Sequence, residues 1–195
     1  MKKLIITILV VALILAAATF GLNGIANANA QAEHLKTMQT LLPGSSEFTL
    51  EFYDGEDANI RSVHKAENGF VIETVTYGYA GNITMMIGVS NEGKVTGLVV
   101  RELTETYGLG ANALTDHEFL AQFLNGSGEF TIATHGADAF SGATGDASES
   151  TAEATEVDAL TGATVTSKAI ARAINSALAY VTGADIVSSA TTWGG

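Results

Sequence analysis

The sequence predicts an α+β protein: an N-terminal transmembrane helix, then an extracytoplasmic antiparallel sheet packed with helices. Three observations lead there. Leu4–Leu22 is a run of 19 residues without a charge. Between Phe48 and Leu103, short stretches of β-branched and aromatic residues alternate with Asp-Gly and Asn-Gly turns. Near the C-terminus, Ile170, Ile174, Leu178 and Val181 recur at spacings of four, four and three, the stripe of an amphipathic helix.

As a helix the apolar run is about 28 Å long, close to the hydrocarbon thickness of a bilayer. Lys2 and Lys3 precede it, which predicts a cytoplasmic N-terminus and a domain on the outer side. A cleaved signal peptide is the alternative, because Ala28-Asn29-Ala30 resembles a cleavage site. The run is longer than the usual signal core and favours a retained anchor over residues 1–22. Residues 23–43 read as a juxtamembrane helix, with Ala32, Leu35, Met38 and Leu41 at helical spacing and Pro43-Gly44 as its end.

The region 44–182 reads as one folded domain. Phe48, Leu50 and Phe52 alternate before Asp54-Gly55 turns the chain. Ile60–Lys65, Phe70–Tyr79, Ile83–Val89 and Lys94–Leu103 follow as strands, separated by turns at Asn68-Gly69, Ala80-Gly81-Asn82 and Asn91-Glu92-Gly93. Three consecutive strands joined by tight turns predict an antiparallel meander. Thr115–Leu124 reads as a short helix with Thr115 or Asp116 as cap, and Phe130–Thr134 as a brief strand. Residues 136–157 are acidic, small and aperiodic, and read as a flexible insertion. Residues 183–195 form a polar tail.

Composition narrows the chemistry. The 195 residues include no Cys, which removes disulfides, thiolate metal sites and a Cys nucleophile. His34, His64, His117 and His135 are scattered, and none forms a pair at helical ligand spacing, so no metal site is expected. Residues 31–195 carry 7 basic against 21 acidic groups, a balance of −14. Nucleic acid is a poor partner for such a surface.

Two stretches stand out as candidate sites. Asp158–Ser167 reads DALTGATVTS and runs into the predicted helix. A hydroxyl-rich helix start places side-chain oxygens and free backbone N–H groups together, which suits a phosphate. The same residues equally suit a plain helix cap. Glu105–Gly110 reads ETYGLG, and its two glycines permit a close approach of backbone to a ligand or simply a loop.

Together with Gly78–Thr96, GYAGNITMMIGVSNEGKVT, these stretches in this order resemble the covalent FMN-binding domain family. The likeness is to G subunits of the Rnf electron-transport complex and, as a sister, the C subunit of the sodium-translocating NADH:quinone oxidoreductase. It covers roughly residues 1–182. The resemblance implies that a flavin transferase, using FAD, joins FMN to a Thr through a phosphoester. The family motif falls on Asp158, Thr161, Gly162, Ala163 and Thr164, with Thr164 as the attachment residue and Val165, Thr166 and Ser167 beside it. It also sets Glu105, Thr106, Gly108, Leu109 and Gly110 against the flavin. Tyr107 stands where the family usually has Pro. Asp138–Thr144, DAFSGAT, satisfies the motif as well, so Thr144 is a second candidate, but no amphipathic helix follows it.

The function implied is electron relay through covalent FMN within an ion-translocating ferredoxin:NAD oxidoreductase complex. No catalytic residue is expected in this chain, which supplies position for the flavin. The alternatives are a stand-alone anchored flavoprotein passing electrons to extracellular acceptors, and a non-redox membrane-anchored binding module.

Overall fold

The computed structural model describes residues 28–55, 57–105, 110–111, 116–133 and 154–184. The expected anchor, residues 1–22, lies outside them. Among the described residues no helix is long and apolar enough to cross a membrane. Residue contacts divide the chain after Thr37. The described part of the first unit is helical, and Thr37 Oγ1 donates to the carbonyl of Glu33 at 2.9 Å. Helical residues run over 28–41 (α1) and stop at the expected Pro43-Gly44, with Gly44 at φ 88°.

The second unit begins at Met38. Its centre is a five-stranded meander: β1 (Thr49–Glu51), β2 (Ile60–Ala66), β3 (Gly69–Tyr77), β4 (Asn82–Ser90) and β5 (Val95–Leu103). The strands lie in sequence order and every pair is antiparallel. The antiparallel meander expected from the turn chemistry is therefore present, and β1 and β2 extend it from the three expected strands to five. β4 is buried from Ile83 to Val89 because both faces of the sheet are covered there.

On one face Met38, Leu41 and Leu42 cluster with Val71 and Met86, flanked by Phe48, Ala66 and Val99. Gly88 and Gly97 are paired across β4 and β5 directly beneath Leu41. A Cβ on Gly97 would stand 2.9 Å from Leu41 Cα, so a side chain there would lift the helix end off the sheet. Thr96 Oγ1 donates to the Leu41 carbonyl at 2.6 Å and fixes that end.

The other face carries α3 (Thr164–Thr182), which buries Ile170, Ala173, Ile174, Ala177 and Leu178 against Ile72, Met85, Ile87 and Val89. Each fully buried Ile contributes about 2 kcal/mol relative to exposure. Lys168 and Arg172 are exposed on the outer side, as the spacing predicts. The helix ends at Gly183, whose φ of 66° lets its N–H reach the Ala179 carbonyl at 2.9 Å.

Three expectations need correction. The strand expected to continue to Tyr79 ends at Tyr77, because Gly78 N–H turns to the Gly81 carbonyl at 2.9 Å. The helix expected over Thr115–Leu124 is α2 (His117–Ala121), capped by Asp116, whose Oδ1 accepts from Phe119 N–H at 2.9 Å. After it, Asn125 N–H bonds the Val95 carbonyl (2.8 Å) and Val95 N–H bonds the Gly126 carbonyl (3.0 Å), and this bridge to β5 stops the helix. The insertion expected over 136–157 ends in regular structure: β7 (Thr155–Asp158) pairs in parallel with β6 (Phe130–Ala133). Val157 of β7 is 1% exposed and belongs to the main core. The antiparallel sheet is thus accompanied by a small parallel pair whose β6 packs against α3.

Candidate flavin-attachment site

The candidate segment begins where β7 ends. Asp158 N–H donates to Gln122 Oε1 at 2.9 Å, and Gln122 Nε2 reaches the Asp158 carbonyl at 3.5 Å. Two residues later Leu160 is buried, and its carbonyl accepts from Ala163 N–H at 2.9 Å. This closes a four-residue turn with Thr161 and Gly162 exposed at its tip. Gly162 sits at φ 72°, a conformation that a glycine adopts without strain.

Ala163 is the N-cap of α3 and is buried. Among the described residues no side chain caps this helix, so none of the hydroxyls from Thr161 to Ser167 serves as the plain cap that the sequence equally allowed. The first intrahelical bond runs from Ser167 N–H to the Ala163 carbonyl (2.9 Å). The N–H groups of Thr164, Val165 and Thr166 precede it and add to the positive end of the helix dipole. Thr164 is half-buried and Val165 is 50% exposed, whereas Thr166 and Ser167 are inside.

The family motif sets Ser167 beside the cofactor. Its hydroxyl accepts from Leu160 N–H (3.0 Å) and donates to the Ala163 carbonyl (3.0 Å). It locks the turn from beneath.

The second candidate stretch meets this helix start. Glu105 follows β5, and its Oε1 accepts from the N–H groups of Tyr79 (2.7 Å) and Ala80 (3.4 Å). Glu105 Oε2 is buried without a hydrogen-bond partner among the described residues. Gly110 lies beside it: a Cβ built there would stand 2.5 Å from Thr166 Oγ1 and 2.9 Å from Glu105 Oε2. The two ends of the ETYGLG stretch are therefore gathered against the first turn of α3. Thr76 Oγ1, donating to the Ala169 carbonyl at 3.0 Å, ties the end of β3 to the next turn. Thr106, Tyr107, Gly108 and Leu109 lie outside the described residues, as does Thr144 with its copy of the motif.

These features fit a flavin with its phosphate. A helix start of this kind is suited to an anion. The buried Glu105 oxygen without a partner among the described residues can serve as an acceptor for a ring N–H. Gly110 lets its backbone pack closely against Thr166 and Glu105, where a methyl group would clash. Two features of this region gave no signal in the sequence: Gln122 and the reach of Glu105 to the β3–β4 turn.

Comparison with known proteins gives the family. The chain is 29% identical over 167 residues to the G subunit of the ion-translocating oxidoreductase complex of Methanosarcina acetivorans, and the match covers 77% of each chain. It is 32% identical over 108 residues to the G subunit of the Na(+)-translocating ferredoxin:NAD(+) oxidoreductase complex of Acetobacterium woodii, covering 55% of this chain and 46% of that one. Against the G subunit of the proton-translocating ferredoxin:NAD(+) oxidoreductase complex of Clostridium ljungdahlii it is 29% identical, covering 58% and 53%. Among solved structures, the C subunit of the Na(+)-translocating NADH-quinone reductase from Parabacteroides distasonis aligns with a TM-score of 0.43 and 19% identity, covering 61% and 58%. The FMN-binding domain model matches residues 78–179, from the β3–β4 turn through most of α3, and the chain belongs to that family.

Proposed function

We propose that this chain carries FMN covalently on Thr164 and relays electrons as the FMN-bearing member of an Rnf-type, ion-translocating ferredoxin:NAD oxidoreductase complex. Its partners are the other membrane subunits of that complex and, during maturation, a flavin transferase. The domain stands outside the cytoplasm on a single anchor formed by residues 1–22. The names of the relatives support the setting.

One observation carries the attachment residue. Thr164 is half-buried at the uncapped start of a 19-residue helix, next to an exposed two-residue tip. Its hydroxyl can be reached, and any phosphate on it is met by the free N–H groups of the first turn. Attachment is a group transfer. The Thr164 Oγ–phosphorus bond forms, the phosphoanhydride bond of FAD breaks, AMP leaves, and the hydroxyl proton passes to solvent or the transferase.

FMN, when bound, supplies the redox chemistry. The chain's residues hold and shield it. The turn of Thr161 and Gly162 keeps the approach to Thr164 open. Glu105 and Gly110 border the other side, with Glu105 Oε2 as acceptor for a ring N–H. Thr106, Gly108 and Leu109 complete that border in this reading.

The test is expression of the full chain with a flavin transferase, followed by ultraviolet fluorescence of the denatured band. No Lys or Arg lies between Arg101 and Lys168, so trypsin leaves Thr144 and Thr164 on one peptide. A glutamate-specific protease separates them at Glu149, Glu153 and Glu156. FMN mass on the peptide containing Thr164 is expected. Flavin on the Thr144 peptide alone defeats the assignment. Absence of covalent flavin leaves a non-redox binding module.

A further inference from the structure

We infer that Gln122, a residue outside both candidate stretches, is a positioning residue that presents the acceptor segment to the flavin transferase; this rests on the reading that Thr164 carries the flavin. The parallel pair of β6 and β7 has two outer edges, and each is met by a side-chain amide. Asn175 of α3 accepts from Phe130 N–H with Oδ1 (2.9 Å) and donates to the Phe130 carbonyl with Nδ2 (2.9 Å). Gln122, at the end of α2, does the same for Asp158, firmly at its N–H (2.9 Å) and loosely at its carbonyl (3.5 Å). A primary amide carries a donor and an acceptor as a peptide group does, so each amide fills the place of one residue of a third strand.

The two clamps hold different things. Asn175 anchors β6 to the helix that forms the core and acts on the fold. Gln122 is exposed and grips the last residue of β7, where the acceptor motif starts. From Asp158 the chain has only Ala159 before Leu160, whose N–H is held by Ser167. Gln122 and Ser167 thus pin the two ends of a short span whose continuation is the exposed tip and Thr164. With the Gln122 pin released, the segment samples more conformations, and the fraction competent for the transferase falls. A lower competent fraction weakens apparent binding without changing the chemistry that follows.

The experiment uses the full chain in detergent, purified from cells lacking the transferase, as the varied substrate of a flavin transferase with FAD in excess. Covalent flavin is followed by fluorescence of the denatured band. Gln122→Met keeps length and removes both hydrogen bonds; the KM for the protein substrate is expected to rise about fivefold, the worth of one net hydrogen bond, with kcat unchanged. Hydrogen exchange at the Asp158 amide is expected to quicken, with exchange at Ile174 unaltered. Gln122→Glu keeps the acceptor at 2.9 Å and is expected to fall between wild type and Gln122→Met. An unchanged KM for Gln122→Met, a loss in kcat instead, or Gln122→Glu worse than Gln122→Met each overturns the proposal. A wild-type chain that takes no flavin, or takes it away from Thr164, defeats the underlying reading. Normal labelling of Thr164 with an indifferent Gln122→Met defeats this inference alone.

Discussion

The two ends of α3's working length are built on opposite principles. From Ile170 to Leu178 the helix presses Ile170, Ala173, Ile174 and Ala177 into the sheet with no exposed surface, and Ser176 there bonds Asn59 Nδ2 at 3.2 Å. From Ala163 to Thr166 it has no side-chain cap, and a buried carboxylate oxygen of Glu105 without a hydrogen-bond partner among the described residues lies across from it. The buried length holds the helix in register, and its first turn is where the proposed attachment residue sits. Substitutions in the two regions should therefore separate attachment from stability.

The largest effect is expected from Thr164→Val. The substitution keeps the shape of a half-buried side chain and removes its one hydroxyl. Covalent flavin should vanish altogether, while the denaturant midpoint of the apo chain moves by no more than about 0.5 kcal/mol equivalent. Fluorescence of the denatured band and a urea titration read the two quantities on one preparation. Retained covalent flavin would place the attachment elsewhere.

Ile174→Ala is the converse. Ile174 is fully buried between α3 and the sheet, and its truncation leaves a cavity. A loss of about 2–5 kcal/mol is expected from chemical denaturation, with the folded fraction still accepting flavin. If flavin attachment failed while the fold survived, the two regions would not be separable.

Ser167→Ala joins them. It leaves the buried Leu160 N–H without its acceptor, at a cost of about 1–3 kcal/mol, and it frees the turn that presents Thr164. Both the midpoint and the rate of attachment should fall. A variant with normal stability would mean that the turn holds without its lock.

What the sequence makes legible follows the same division. The five strands and α3 are readable because their signals are local: alternation, Asp-Gly and Asn-Gly turns, and a spacing of four, four and three. The segment around the site is readable only as motifs, because its geometry depends on distant partners. Glu105 meets Tyr79 across 26 residues, Gln122 meets Asp158 across 36, and Asn175 meets Phe130 across 45. β7 is hidden for a related reason. In Thr155–Asp158 only Val157 turns inward, so its composition matches the acidic stretch before it, and its partner β6 lies on the other side of that stretch. Hydroxyls near a phosphate motif invite a place beside the cofactor, as for Ser167, and its full burial cannot be read from the letters.

The smallest effect tests the stable end of the comparison. Tyr180, in the last turns of α3, stacks edge-on with Tyr53 and Phe70 at 5.8 Å from each, and its hydroxyl donates to Glu51 Oε2 at 3.1 Å. Burial, followed by that bond to a carboxylate, raises its phenol above the ordinary value of 10.0. The unfolded chain then loses this proton before the folded one does. The stabilisation is complete below about pH 10 and drains away as the pH climbs through the folded-state value. Urea midpoints taken between about pH 9 and pH 11 should fall for the wild-type chain and fall less for Tyr180→Phe. Attachment at Thr164, near the other end of the helix, should be the same in both. Equal slopes would show that the aromatic end gains nothing from the neutral phenol, and a change in attachment would show that the two ends of α3 are coupled after all.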